Sequence, residues 1–480
     1  MGTTADKLNY LSNTKSLIKN AIVNKGQTIN SGDSFRSFAS KIENIQTGVN
    51  LNDYWDFPTT TPYTQGRFTQ YIKQLPEIDT SQWTNLSDFF AEMRYNVTIG
   101  FNFPNFNTIN ITNLARTFIN CQGSSVSQTF VAPNWNTSKV TCMWNTFYQS
   151  GLRDIPNWDT SKVTNTHGAF GSCRNLTNPS NTINLCNTTS AQNMFYYCTN
   201  LTTIPISNIF KLYNARQMFY YCNNLTTIPD WNFSSLNDAV NMFYGCENLT
   251  NNVSNFNFSN LKNAINMFYY CNNLISISNI NINNPSGTDF IDNMFGRCLR
   301  LQTISNLKII NVNRANSMFV NCTNLISISD LTLSNINIVS NMFRYCSSLT
   351  TISNLNYLMN PPSTSYLSIF EECNNLTSIT NVNVHGVTNL QLMFADLINL
   401  ENFSIFDTSS VENFGYAFRY CNKLSDASIQ NIINMCLNSN VTKNKNTHNT
   451  NIGSPFYLTN IANTRYQNRW SELTAAGWTY

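Results

Sequence analysis

Apolar positions along this chain keep one order over most of its length: Met-Phe, two residues of free choice, a cysteine, then a leucine three residues on. Asn193-Met194-Phe195-Tyr196-Tyr197-Cys198 with Leu201 and Ile204 returns as Met218-Phe219 to Cys222 with Leu225 and Ile228, and again as Met242-Phe243 to Cys246 with Leu249. Those three cysteines stand 24 residues apart, and the phrase continues through Cys271, Cys298, Cys322, Cys346 and Cys373. Cys121, Cys173 and Cys421 occupy the same slot and Ser150 and Leu397 replace it, which makes thirteen copies, with Phe89-Phe90 before Met93 as a degenerate first one. A repeat of this period predicts a solenoid, because one copy is too small to bury its own apolar face and stacking must supply the core. The 27-residue steps, from Cys271 to Cys298 and from Cys346 to Cys373, contain Asn-Pro-Ser-Gly-Thr and Asn-Pro-Pro-Ser-Thr, turn formers that predict loop insertions.

Within a copy, the β-branched run Leu225-Thr-Thr-Ile228 predicts a short strand, and the stretch from Asn237 to Cys246, with Met242 and Phe243 inward, predicts a helical turn. The flanks break the phrase. Residues 1–47 place Leu8, Leu11, Ile18 and Ile22, then Phe35, Phe38 and Ile42, on the apolar sides of two helices. Neither stripe is covered by a two-helix segment alone, which predicts attachment or homo-oligomerisation through these seven residues. Residues 48–80, rich in Thr, Pro, Tyr and Asn, predict a linker; 81–424 form the array; 425–480 form a C-terminal cap opening with a helix at Ser425-Asp426 that carries Ile429, Ile432, Ile433 and Cys436.

Composition narrows the function classes. Only 11% of the 480 residues are charged and the net charge is +3, so there is no electrostatic footprint for nucleic acid and no polybasic membrane patch. Fourteen cysteines would imply a disulfide framework in a small secreted domain, but eleven of them fall in one repeat slot beside Phe and Leu, which predicts a ladder of small buried hydrophobes. Spacing alone leaves disulfides between neighbouring copies open. No C-x-x-C occurs and the three histidines are scattered, so no metal, no cofactor and no catalytic triad are expected. The start, Met-Gly-Thr-Thr-Ala-Asp-Lys-Leu, has neither the basic nor the apolar region of a secretion signal.

The phrase M-F-x-x-C-x-x-L, preceded by Trp158-Asp-Thr-Ser-Lys-Val163 and by Phe406-Asp-Thr-Ser-Ser-Val411, resembles the BspA-type leucine-rich repeats of bacterial surface proteins over roughly residues 81–424. That resemblance implies an α/β fold: a right-handed leucine-rich-repeat solenoid with short parallel strands, here preceded by a small helical N-terminal segment, and an adhesive role toward proteins or glycans. Residues 1–46, with Ala5-Asp6-Lys7-Leu8, Ala21 to Gly26, Phe35-Arg36 and Lys41-Ile42, resemble the helical opening of structural proteins from phages of Gram-positive bacteria. Together the two resemblances imply a virion protein, assembled in the host cytoplasm, joined to other virion proteins by its N-terminal helices and displaying the solenoid to a host cell-surface protein or glycan as a tail or baseplate fibre. A capsid-attached head fibre, a cellular adhesin of BspA type and a glycan-degrading tail enzyme are the alternatives.

Candidate binding residues lie in the two free positions before the repeat cysteine. Tyr196, Tyr197, Tyr220, Tyr221, Tyr244, Tyr269 and Tyr270 fill them in consecutive copies and should align as an aromatic stripe, able to stack on sugars or anchor a protein. Later copies carry Gly296-Arg297, Val320-Asn321 and Glu371-Glu372 there, so the positions tolerate polar groups. Packing of one tyrosine of each pair against the array is the alternative. The asparagines before the repeat leucine, such as Asn200, Asn224 and Asn248, are expected to bond turn backbone groups. Glu371, Glu372 and Asp396 are expected to form a surface charge cluster rather than a catalytic carboxylate pair.

Overall fold

The computed structural model describes residues 80–91, 94–95, 106–123, 130–250, 253–254, 256–283, 290–334, 336, 338–353, 355–358, 368–380, 382–383 and 388–439, with Ile18 and Ala475. The chain divides into two compact units, Met1–Asp79 with Met93–Phe106, and Thr80–Glu92 with Asn107–Tyr480. The repeats belong to the second.

One phenylalanine per copy builds its core. Phe90, Phe118, Phe147, Phe170, Phe195, Phe219, Phe243, Phe268, Phe295, Phe319, Phe343, Phe370, Phe394 and Phe418 stack in an unbroken column of fourteen rings, with centroid spacings from 5.2 to 6.0 Å. Phe90 therefore shares the column with the consensus copies. Repeat methionines, cysteines and leucines such as Met242, Cys246 and Leu249 are fully buried beside the column. Parallel pairing links successive copies. A nine-stranded sheet runs from Val253–Ser254 to Asn402–Phe403, and its longest members, Ser276–Asn283, Thr303–Ile310 and Ser327–Ser334, pair in parallel register. In each of these three an Asn or Asp with left-handed φ, Asn279, Asn306 or Asp330, shifts the side-chain phase, so that Ile277 and Ile280 both point inward. Leu225–Ile228, expected as a strand, forms none; that copy pairs through single bridges such as Asn214↔Asp238.

The Met-Phe-x-x-Cys stretch is not helical. It is a ridge of overlapping turns. Met194, Tyr196 and Cys198 donate their N–H groups to the carbonyls of Ala191, Asn193 and Phe195 at 3.1–3.2 Å, each closing a three-residue step. The alternate residues Ala191, Asn193, Phe195 and Tyr197 donate to Asn214, Arg216, Met218 and Tyr220 of the following copy at 2.8–3.0 Å. The same one-way pattern recurs from Leu86, which donates to Asn113, to Asp396, which donates to Arg419. Two residues per copy, five and one before the repeat cysteine, hold positive φ to make this possible, as at Asn193 (56°) and Tyr197 (55°). A helix places i, i+1 and i+4 on one face just as these turns do, which is why the sequence pattern reads as helical.

The cysteines are a hydrogen-bonded ladder and all fourteen are free thiols. Cys198, Cys222 and Cys246 direct Sγ at the Phe170, Phe195 and Phe219 carbonyls of the preceding copy, at 3.0, 3.1 and 3.2 Å. A methyl-sized side chain with a weak donor suits a dry slot facing a carbonyl. Burial pushes the thiols up, Cys173 and Cys322 to about 12, which suppresses the thiolate. The Asp-Thr-Ser phrase is equally structural: Asp159 and Asp407 accept the Ser161 and Ser409 N–H groups at 2.9 Å, and Thr160 and Thr408 donate to the Asn184 and Met435 carbonyls.

Helix Asp426–Asn438 follows the last phenylalanine, capped by Ser425, whose side chain accepts from the Ser428 N–H. It buries Ile432, Ile433, Met435 and Cys436, with Ile429 half-buried. Of the proposed attachment residues Leu8, Leu11, Ile18, Ile22, Phe35, Phe38 and Ile42, only Ile18 is among the described residues; it is helical and half-buried. The linker up to residue 79 and the segment after Ser439, save Ala475, also lie outside them.

Candidate functional site: a tyrosine ledge before the repeat cysteines

The seven tyrosines named from the sequence come together. The first members of the pairs, Tyr196, Tyr220, Tyr244 and Tyr269, form a continuous stack with centroids 5.2, 4.9 and 5.4 Å apart. Tyr197 and Tyr221 stack at 5.1 Å in a second row, and each pair meets edge to face, as Tyr220 does with Tyr221 at 4.8 Å. All seven are half-buried. Burial raises the phenol pKa of Tyr196, Tyr220 and Tyr269, so the hydroxyls stay protonated donors. The ledge is thus neutral, aromatic and edged with hydroxyls, a surface suited to stacking and to neutral hydrogen bonds.

The two rows obey different backbone rules. The second position, immediately before the cysteine slot, is left-handed in every copy from Asn120 to Tyr420: Asn120, Gln149, Ser172, Tyr197, Tyr221, Gly245, Tyr270, Arg297, Asn321, Tyr345, Glu372, Asp396 and Tyr420. No β-branched residue occurs there, whereas the first position accepts Ile119 and Val320. Asn or Gly takes a left-handed conformation more cheaply than Tyr, by about 1 kcal/mol. Tyr197, Tyr221 and Tyr270 therefore hold a costly backbone state, which stacking partly offsets at about 0.5–1.5 kcal/mol per aromatic pair. Glycine appears where the stack needs room: a Cβ at Gly245 would lie 2.8 Å from the Tyr221 ring, and one at Gly296 would lie 2.6 Å from the Tyr269 ring.

Beyond Gly296 the ledge changes character. The Arg297 guanidinium lies 5.2 Å over the Tyr270 ring and donates to its hydroxyl at 2.9 Å, closing the tyrosine rows. Farther on, Arg344 and Arg419 both engage Glu371, at 3.0 and 3.4 Å, and Arg419 also holds Asp396 at 2.5 Å. Glu371 keeps only 7% of its side-chain surface exposed. These carboxylates are occupied by arginines, an arrangement that makes a charge ladder and offers no poised acid and base. The asparagines before the repeat leucine bond mainly to one another rather than to turn backbone: Asn224, Asn248 and Asn273 donate to the side chains of Asn200, Asn224 and Asn248, and Arg300 extends the row to Asn273. Asn200 and Asn399 do donate to carbonyls, of Arg174 and Asn374.

A family model described as "Mycoplasma protein of unknown function, DUF285" matches residues 63–148, 84–209, 203–298, 278–357 and 364–470. The chain is a DUF285 protein. Its overlapping family matches follow the stacked copies, and they begin at residue 63, so they lend no support to the phage resemblance of residues 1–46. Among solved structures, the DUF285 chain is similar to a leucine-rich repeat protein from Bacteroides ovatus ATCC 8483, at 17% identity over 76% of this chain and 92% of that one, with a TM-score of 0.34. It is also similar to a leucine rich cell surface protein from Faecalibacterium prausnitzii A2-165, at 21% identity over 54% of this chain and 82% of that one, with a TM-score of 0.26. No curated protein matches the DUF285 chain in sequence.

Proposed function

We propose that this DUF285 protein is an adhesive display protein, and that the tyrosine ledge of Tyr196, Tyr197, Tyr220, Tyr221, Tyr244, Tyr269 and Tyr270 contacts a protein or glycan on a cell surface. One observation carries it: Tyr197, Tyr221 and Tyr270 keep half-exposed rings in a left-handed backbone state that Asn fills in other copies. Strain held at a surface position supports a role for the ring itself. The stacked core and one-way ridge fix the ledge rigidly, which lowers the ordering cost of binding. The solenoid would serve a virion equally well, but no observation among the described residues favours that setting over a cell surface. The test compares the full chain with a Tyr197→Asn/Tyr221→Asn/Tyr270→Asn variant for adhesion to bacterial and animal cells and to a glycan array. Wild-type binding that drops at least tenfold in the variant, with the melting curve retained, supports the ledge; equal binding by both proteins sinks it.

A further inference from the structure

An open cleft of about 460 Å³ lies in the N-terminal copies, lined by Trp144, Thr164, Asn165, His167, Thr189 and Ser190. Trp144 and His167 stand six residues before the cysteine slots of successive copies, at Ser150 and Cys173, so the repeat places them side by side. Thr164 and Asn165 belong to the copy of His167, and Thr189 and Ser190 to the next. We infer that this cleft is a subsite for a neutral saccharide, a hexose or N-acetylhexosamine, held against the Trp144 indole.

Three observations carry the inference. The lining contains no Asp, Glu, Lys or Arg, which disfavours phosphate, sialate and uronate. In the same columns farther along, ion pairs occupy the surface, Arg216 with Asp238 at 3.1 Å and Arg314 with Asp292 at 2.5 Å, so the neutral stretch is local. Lastly, several polar groups of the lining are uncommitted. Asn165 Oδ1 accepts the His167 N–H at 3.0 Å and Thr164 Oγ1 donates to the Thr141 carbonyl at 3.2 Å. Among the described residues, Trp144 Nε1, Asn165 Nδ2, the His167 ring, Thr189 Oγ1 and Ser190 Oγ have no protein partner. Burial lowers the His167 pKa from 6.5, leaving a neutral imidazole with one donor and one acceptor. An aromatic surface ringed by neutral donors and acceptors matches the alternating C–H and O–H faces of an uncharged sugar. A single exposed site of this kind gives a dissociation constant on the order of 1–10 mM, and repetition on a surface would lower the apparent value.

Saturation-transfer NMR and calorimetry on the full chain test it, with glucose, galactose, mannose, N-acetylglucosamine and N-acetylgalactosamine as probes and glucuronate and inorganic phosphate as controls. At least one neutral sugar is expected to bind, with both controls at least tenfold weaker. Trp144→Ala should weaken it at least tenfold, and Asn165→Ala or His167→Ala roughly three- to tenfold. Thr189→Tyr keeps the test decisive where Trp144→Ala impairs folding, since Tyr213 fills the equivalent exposed slot one copy on and its backbone bonds back to Thr189. That variant should block the cleft with its melting curve unchanged. The inference is overturned if none of the five sugars binds at 50 mM (about five times the weakest expected constant), if glucuronate binds as well as they do, or if binding survives both Trp144→Ala and Thr189→Tyr. Cell adhesion measured on the same proteins separates this outcome from that of the tyrosine ledge.

Discussion

The copies around Tyr196–Tyr270 and those around Arg344–Arg419 share one backbone and one phenylalanine column, yet they present opposite chemistry at the positions before the cysteine. In the first group those positions stack neutral phenols at 4.9–5.4 Å; in the second they interlock Arg344, Glu371, Asp396 and Arg419. The difference shows that the fold demands little of these side chains beyond the left-handed backbone of the second position. Whatever selects tyrosine in one group and charge in the other therefore acts on the surface they form.

Cutting what the two groups share should do the most damage. Phe243→Ala removes one fully buried ring from the column and should cost about 3–5 kcal/mol, read as a shift of the urea midpoint; a loss under 1 kcal/mol would mean the column is not the core. Next comes the charge ladder. Glu371→Gln leaves Arg344 and Arg419 without their shared carboxylate and should cost about 1–3 kcal/mol, reduced from the buried-pair value because both arginines are about a third exposed. High salt should narrow that gap.

Tyr221→Asn should change stability by less than about 1 kcal/mol, since relief of left-handed strain and loss of stacking act in opposite directions. A larger loss would assign the second tyrosine row to packing alone. The smallest effects concern titration. At pH 8 a thiol reagent should modify Cys142 and Cys186, which are half-buried, well before the fully buried ladder cysteines from Cys198 to Cys373, whose labelling should await unfolding. His167 has a lowered folded pKa, so the unfolded chain binds more protons just below pH 6.5; stability should be full above that pH and fall as pH drops toward the folded value, and His167→Gln should flatten the decline.

The core was legible because its signal is periodic: Phe243, Cys246 and Leu249 recur with the frame and are buried as the frame demands. The ridge reads as helical in sequence because overlapping turns share the helix's i, i+1, i+4 spacing. Its sequence trace is subtler, an absence of Val, Ile and Thr from the position before the cysteine and an excess of Asn four residues earlier. The thiol-to-carbonyl ladder leaves no trace beyond cysteine itself, since the acceptor is backbone. The tyrosine alignment follows from the repeat; the Trp144 cleft does not, because it is made by single departures from the consensus, and only the stacking of copies sets His167 beside Trp144.

The one-way ridge bears on how such a chain changes length. Along the ridge each copy hands its amide protons to its successor and offers its carbonyls to its predecessor, so the two sides of the ridge are complementary to each other and not to themselves. A whole copy duplicated or deleted in the gene restores the same junction on both sides, whereas a partial or inverted one leaves protons facing protons. Recombination in whole units is then nearly silent for folding, and reach and surface chemistry can be edited copy by copy.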